Sequence, residues 1–181
     1  DNWVAGMEWL EGSGADVVSS SLGYNTFVDA PNYTWGVGDF NGRTTASAKA
    51  ALRAAELGVV VCNAMGNEGN GLGTQGRMVT PADADSIISV GAVGYFRHLA
   101  GFSGTGPTFD LRYKPDLVAP GVGIYSASTG GYSAYFSPQG TSSSTPLVAG
   151  AAALLLSARP ELTPMEVRDA LRNSADTVDA G

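Results

Sequence analysis

The stretch TTASAKAALRAAELGVVVCNA, Thr44 to Ala64, sets the architecture. Its first part is alanine-rich, with Ala48, Leu52 and Ala55 on one side at helical spacing, and Gly58 stands just past its end, where helices commonly stop. Val59 to Ala64 follows at once as an apolar run with no polar alternation, which predicts a strand buried on both faces. A helix feeding directly into such a strand is the unit of a parallel sheet covered by helices.

Moving outward, Trp3, Val4, Met7 and Leu10 recur at helical spacing before Gly12 to Gly14 break the pattern, and Ala15 to Leu22 reads as a buried strand ending at Gly23. Tyr24 to Arg43, aromatic and rich in glycine and proline, predicts a surface excursion. Ile87 to Val93 is a third strand, and Leu117 to Ala119 and Ile124 to Ala127 are shorter ones around Pro120-Gly121. A buried helix is expected from Thr141 or Ser142 to Ala158. A final amphipathic helix has Thr163 as N-cap, Pro164 at its first position, Glu166 at its third, and Val167 and Leu171 inward. The fold class is α/β: three layers, α/β/α, around a mostly parallel sheet.

With 181 residues, 44% hydrophobic and 15% charged, the chain can bury one sizeable core. A net charge of -7, two lysines (Lys49 and Lys114) and eight scattered arginines argue against a nucleic-acid partner. The longest apolar stretch, Leu147 to Leu156, falls short of the ~20 residues that span a bilayer, so no membrane is expected. The opening residues lack the basic and apolar regions of a signal peptide. Cys62, the lone cysteine, sits in an apolar run and reads as a buried thiol.

Two segments carry chemistry. Gly140 to Gly150, GTSSSTPLVAG, puts Ser142 in the first turn of a long helix, where free N–H groups and the macrodipole favour a developing oxyanion. The competing explanation, that Thr141, Ser142 and Ser143 only cap the helix, stays open, although Pro146 and the small Ala149-Gly150 pair are harder to explain by capping alone. Ala64-Met65-Gly66-Asn67-Glu68-Gly69-Asn70 follows a strand at its C-terminal end, where α/β sheets place their sites. Asn67 there is a candidate oxyanion donor or an ordinary turn residue; a phosphate loop is disfavoured because no Gly-Lys-Ser/Thr ending follows.

Gly140 to Gly150 resembles the serine motif of the subtilases, the subtilisin-like proteases of peptidase family S8. Ser21-Leu22-Gly23, Gly66-Asn67-Glu68-Gly69, Ile87 to Ala92, Phe102-Ser103 and Lys114 to Gly121 resemble further family segments in the same order. The resemblance implies a serine endopeptidase with Ser142 as nucleophile. The Ser142 backbone N–H and the Asn67 amide then form the oxyanion hole. Ser21, Leu22 and Gly23 are implied to pair with substrate backbone and, with Ala64, Met65 and Gly66, to wall the pocket for the side chain preceding the scissile bond. Val79 falls at the floor of that pocket, which predicts a preference for small or medium apolar side chains over Phe or Lys. Peptide or protein substrates and a secreted or periplasmic location follow by resemblance. No cofactor is required, and the resemblance leaves room for a structural calcium or sodium ion over Ala82 to Ile87. Asp83-Ala84-Asp85 lacks the glycine and glutamate of an EF-hand.

The family order is Asp, then His, then Ser. His98, the only histidine, lies downstream of Asn67 without the family's His-Gly-Thr context and reads as an exposed loop residue. The expectation is therefore a C-terminal portion of one subtilase catalytic domain, with Asp and His upstream of residue 1. Such a portion, inactive alone, is expected to leave apolar strand and helix faces for the N-terminal half or a second copy. Leu147 stands where the family commonly has a second histidine, and Ser143-Ser144 replace its usual Met-Ala. A non-catalytic peptide-binding pseudoprotease is the alternative, against which Ser142 and Asn67 both speak. An α/β-hydrolase esterase lacks its Gly-x-Ser-x-Gly elbow here.

Overall fold

A computed structural model describes residues 2–25, 36–69 and 78–178. Four parallel strands, β1 (Val17–Ser20), β2 (Val60–Ala64), β3 (Ile88–Val93) and β4 (Leu117–Pro120), stand side by side in chain order. Val17 pairs with Val60, Cys62 with Ile88, and Val90 with Leu117.

Side-chain alternation along β2 explains why its sequence shows no polar period. Val59 and Val61 face one layer, packing with Trp3 and Met7 of α1 (Asn2–Gly12) and Ala48, Ala51 and Ala54 of α2 (Ala46–Glu56). Val60 and Cys62 face the other, against Val148, Ala149 and Ala152 of α3 (Thr141–Ala158) and Val167 of α4 (Pro164–Ser174). Burying each such valine or isoleucine contributes about 1.5–3 kcal/mol, so a strand apolar on both sides anchors both helical layers.

The helix starts follow the sequence. Thr163 Oγ1 accepts from Glu166 N, and the Glu166 carboxylate accepts from Thr163 N at 2.8 Å, closing the expected capping box. Thr45 caps α2, accepting from Ala48 N.

Three expectations are adjusted. β1 is shorter than Ala15 to Leu22, and Ser21 to Gly23 run on beyond it without joining the sheet. Only Ser126–Ala127 of the run from Ile124 is a strand (β5), and it pairs antiparallel with Tyr135–Phe136 (β6) outside the main sheet. α3 is buried along one stripe only, because a helix lying on a sheet covers a single face: Val148 and Ala152 are buried, while Leu147 is 47% and Leu154 75% exposed. By length and composition alone α3 is apolar enough to cross a membrane, but its buried stripe lies on the sheet. Part of the surface excursion and of the glycine-rich stretch after Gly69 lies outside the described residues.

Candidate active site

Ser142 is the second residue of α3, so its backbone N–H has no carbonyl one turn back to bond. The helix opens on Gly140, at φ 150° and ψ 160°, with no side-chain cap of its own. Its capping acceptor comes from the loop after β2. Thr141 N donates to Asn67 Oδ1 at 2.9 Å, and Thr141 Oγ1 bridges Gly66 N and Gly66 O, each at 3.2 Å. The Thr-Ser-Ser run therefore does not cap its own helix.

Pro146 has a positional reason as well. Proline carries no N–H, so the carbonyl four residues earlier, that of Ser142, loses its helical donor. Ser21 Oγ takes that carbonyl at 2.8 Å. The proline thus frees an acceptor through which the segment after β1 is tied to the serine turn.

Because Asn67 Oδ1 is committed to Thr141 N, the Nδ2 donors are left for another acceptor. A methyl group on Gly140 would sit 2.8 Å from Ser142 Oγ and 3.2 Å from Asn67 Nδ2. Hydroxyl and amide therefore converge on one spot that only glycine leaves open. Two N–H donors, Asn67 Nδ2 and Ser142 N, beside one hydroxyl constitute a place where a tetrahedral oxyanion can be held.

A cavity of about 150 Å³ joins these groups to Ser21, Leu22, Gly23, Ala64, Gly66 and Val79. Val79 is 6% exposed, and its methyls fill the space a side chain at Gly23 would need. Its backbone N–H donates to Met65 O at 3.2 Å. Asn63 Nδ2 donates to Leu22 O at 3.1 Å, and Tyr24 and Thr80 exchange two backbone bonds of 3.0 Å. The exposed Ser21–Gly23 segment is thereby fixed at both ends. Met65, grouped with these residues by the sequence, is not on the cavity wall: its side chain is buried with Met78 and Ala82. The cavity also includes Glu68, whose carboxylate lies over Gly66. The sequence assigns no role to Glu68 or Asn63, and to Thr141 only that of a helix cap. An acid directly after the candidate amide was the available signal.

His98 is exposed in the turn after β3, its carbonyl accepting from Gly94 N, and is not among the residues of this cavity. Cys62 is fully buried, and burial, with the Asp116 carboxylate adding to it, pushes its thiol up to about 12, so it is no nucleophile at neutral pH. Over Ala82 to Ile87, Arg112 Nη2 donates to Asp83 O and Asn41 O, both at 2.9 Å, and Arg168 Nη1 to Asp85 O at 2.8 Å. Guanidinium groups of the chain itself therefore serve carbonyls of this loop. Among the described residues no three His, Cys, Asp or Glu side chains gather as a metal site.

Comparison with known proteins gives one answer at three levels. The profile of the Subtilase family (Peptidase_S8) matches residues 1–181. Subtilisin DY of Bacillus licheniformis is 38% identical over 172 residues, covering 95% of this chain and 54% of that protein. Subtilisin E of Bacillus subtilis (strain 168) is 38% identical over 176 residues, covering 96% and 39%. The chain thus spans about half or less of the length of these relatives. Among solved structures, a cold-adapted subtilisin-like serine proteinase superposes with TM-score 0.71 at 28% identity, covering 95% of this chain and 53% of that one. The prenylagaramide maturation protease PagA superposes with TM-score 0.74 at 27% identity, covering 97% and 57%.

Proposed function

The chain belongs to the subtilase family, and on that premise we propose that it supplies the nucleophile, the oxyanion hole and the primary specificity pocket of a serine endopeptidase acting on peptides or proteins. The observation behind this reading is the convergence of Ser142 Oγ and Asn67 Nδ2 on the space beside Gly140, with Asn67 Oδ1 held by Thr141 N.

In the proposed reaction Ser142 Oγ attacks the scissile carbonyl and gives its proton to a general base. The carbonyl oxygen, now an anion, accepts hydrogen bonds from Asn67 Nδ2 and Ser142 N. Collapse expels the amine with the proton returned by the base, and water releases the acyl group from Ser142 by the same steps. The Ser21–Gly23 segment aligns substrate backbone, and Val79 limits the side chain before the scissile bond to small or medium apolar ones.

The base is proposed to be a histidine oriented by an aspartate, both on a segment preceding Asp1 in the natural polypeptide, as the family order Asp, His, Ser implies. The outer strand β1 and the exposed stripe of α3 at Leu147 and Leu154 suit contact with such a segment. Alone, residues 1–181 then retain only the residual acceleration of the oxyanion hole and binding, orders of magnitude below the full triad. Secretion is proposed by analogy with the relatives.

The test is hydrolysis of peptides differing only in Ala, Leu, Phe or Lys before the scissile bond, by the polypeptide that includes the Asp and His segment. Fastest cleavage after Ala or Leu is expected. Fastest cleavage after Phe or Lys refutes the pocket assignment, and no hydrolysis of any peptide refutes the protease reading in favour of a peptide-binding module.

A further inference from the structure

Four of the chain's ten lysines and arginines, Arg112, Lys114, Arg168 and Arg172, line a single hollow of about 290 Å³ at the foot of β4 and α4, away from Ser142. In a chain of net charge -7 this is a marked concentration. Two carboxylates, Asp85 and Asp116, share the wall with them.

The carboxylates do not use up the donors. Asp116 is committed at Oδ2 to Lys114 Nζ at 2.6 Å and to Ser89 N and Oγ at 2.9 and 2.7 Å, and only its Oδ1 faces Arg172, at 3.8 Å, beyond hydrogen-bond reach. Asp85 Oδ1 is 3.7 Å from Arg112 Nη1, again too far, and that nitrogen is buried with no hydrogen-bond partner. Asp110, outside the hollow, takes Arg112 Nε at 2.8 Å and Nη2 at 3.0 Å, and Asn41 O and Asp83 O take Nη2 as well. Asp169 accepts from Arg168 Nε at 3.4 Å and Asp85 O from Arg168 Nη1 at 2.8 Å, which leaves Arg112 Nη1, Arg168 Nη2 and the Arg172 guanidinium open to a ligand. Arg168 and Arg172 are one helical turn apart on α4 and so present their guanidinium groups on the same face. Lys114 is held low by burial, opposed by Asp116 and reinforced by Arg112 and Arg168, so an added negative charge there relieves repulsion as well as filling donors.

We propose that this hollow is a binding site for a tetrahedral oxyanion, inorganic phosphate or a phosphate monoester, gripped by Arg172 and Arg168 with Lys114 and Arg112 behind them. Planar guanidinium forks match phosphate oxygens two at a time, which a lone lysine does not do. The bound ion joins α4 to the start of β4 and to the loop at Asp85, so its effect is on stability rather than on the chemistry at Ser142.

The test is thermal unfolding of the purified protein, carrying Ser142→Ala to prevent self-digestion, with 0 to 10 mM inorganic phosphate at constant ionic strength and pH. The low millimolar range separates site binding from the general salting effect of phosphate. A saturable rise of roughly 4 °C is expected, lost when Arg172→Gln is added. Line broadening of the phosphate ³¹P resonance by the Ser142→Ala protein, reversed by sulfate but not by acetate, gives a readout that needs no second variant. A parallel titration with methyl phosphate decides whether monoesters also enter. No saturable rise, no broadening, or an equal rise in the Arg172→Gln protein overturns the proposal.

Discussion

The Ser21 hydroxyl donates to the Ser142 carbonyl at 2.8 Å, a carbonyl left open because Pro146 has no N–H to offer it. One bond thus joins the proposed substrate-aligning segment to the turn bearing the proposed nucleophile. Ser21→Ala leaves that carbonyl without its protein donor, and kcat/KM on a good peptide is expected to fall about tenfold, with stability lowered by about 1 kcal/mol. Unchanged kinetics in a folded variant would show that the tie has no bearing on catalysis.

Asn67 holds Thr141 N through Oδ1 and is proposed to serve the oxyanion through Nδ2, and one substitution separates the two. Asn67→Asp keeps an acceptor for Thr141 N and places negative charge at the start of α3, which favours the helix by about 0.3–1 kcal/mol. It removes the Nδ2 donor. The variant is expected to fold with an undiminished melting temperature and to lose at least about 10²-fold in kcat, a magnitude carried over from a relative in this same family rather than obtained from these distances. Activity within threefold of the parent would remove Asn67 from the mechanism.

Gly140→Ala puts a methyl between Ser142 Oγ and Asn67 Nδ2, at a φ of 150° that side chains rarely adopt. The expected result is a loss of about 1–3 kcal/mol in unfolding free energy together with a fall in kcat of at least about tenfold. Kinetics and denaturant titration on the same preparation check both.

Much of this was legible in the residues, and the reason differs by element. Thr163, Pro164 and Glu166 announce α4 because a capping box is local chemistry, and Val59 to Ala64 announces a central strand because both its faces are apolar. Ser142 and Asn67 stood out through motif order. That Asn67 caps the serine helix did not, since the two segments are separated by 74 residues and no spacing rule connects them. The β5–β6 hairpin is legible only in part, through the apolar run from Ile124 that contains β5, because strands of two residues each are too short to show a period. The resemblance places Met65 on the pocket wall, but its side chain belongs with Met78 and Ala82 in the interior.

The Cys62 thiol, pushed up to about 12 by burial, is expected to resist alkylation by iodoacetamide at pH 8 in the folded protein and to react fully in guanidinium chloride. Peptide mapping by mass spectrometry reads the difference. Rapid labelling of the folded protein would mean that β2 opens readily.

Asp83 is fully buried, and burial raises its carboxyl above the usual range despite hydrogen bonds from Gly42 N and Thr80 and the nearby Arg112. A raised folded-state value means that the folded protein binds the proton more tightly than the unfolded chain. The resulting stability is full below the unfolded value and is lost as pH rises through the folded one. The parent is therefore expected to gain melting temperature relative to Asp83→Asn as pH is lowered from 7 toward 4. A pH-independent difference between the two would contradict the shift.

The most direct measurement is labelling with a fluorophosphonate, which phosphonylates activated serines, on the natural polypeptide that includes the Asp and His segment, followed by mass mapping of the modified peptide. The account predicts one adduct, on Ser142, abolished by Asn67→Leu and absent from residues 1–181 alone. Failure to label Ser142 in the presence of that segment, or labelling at another serine, would contradict it.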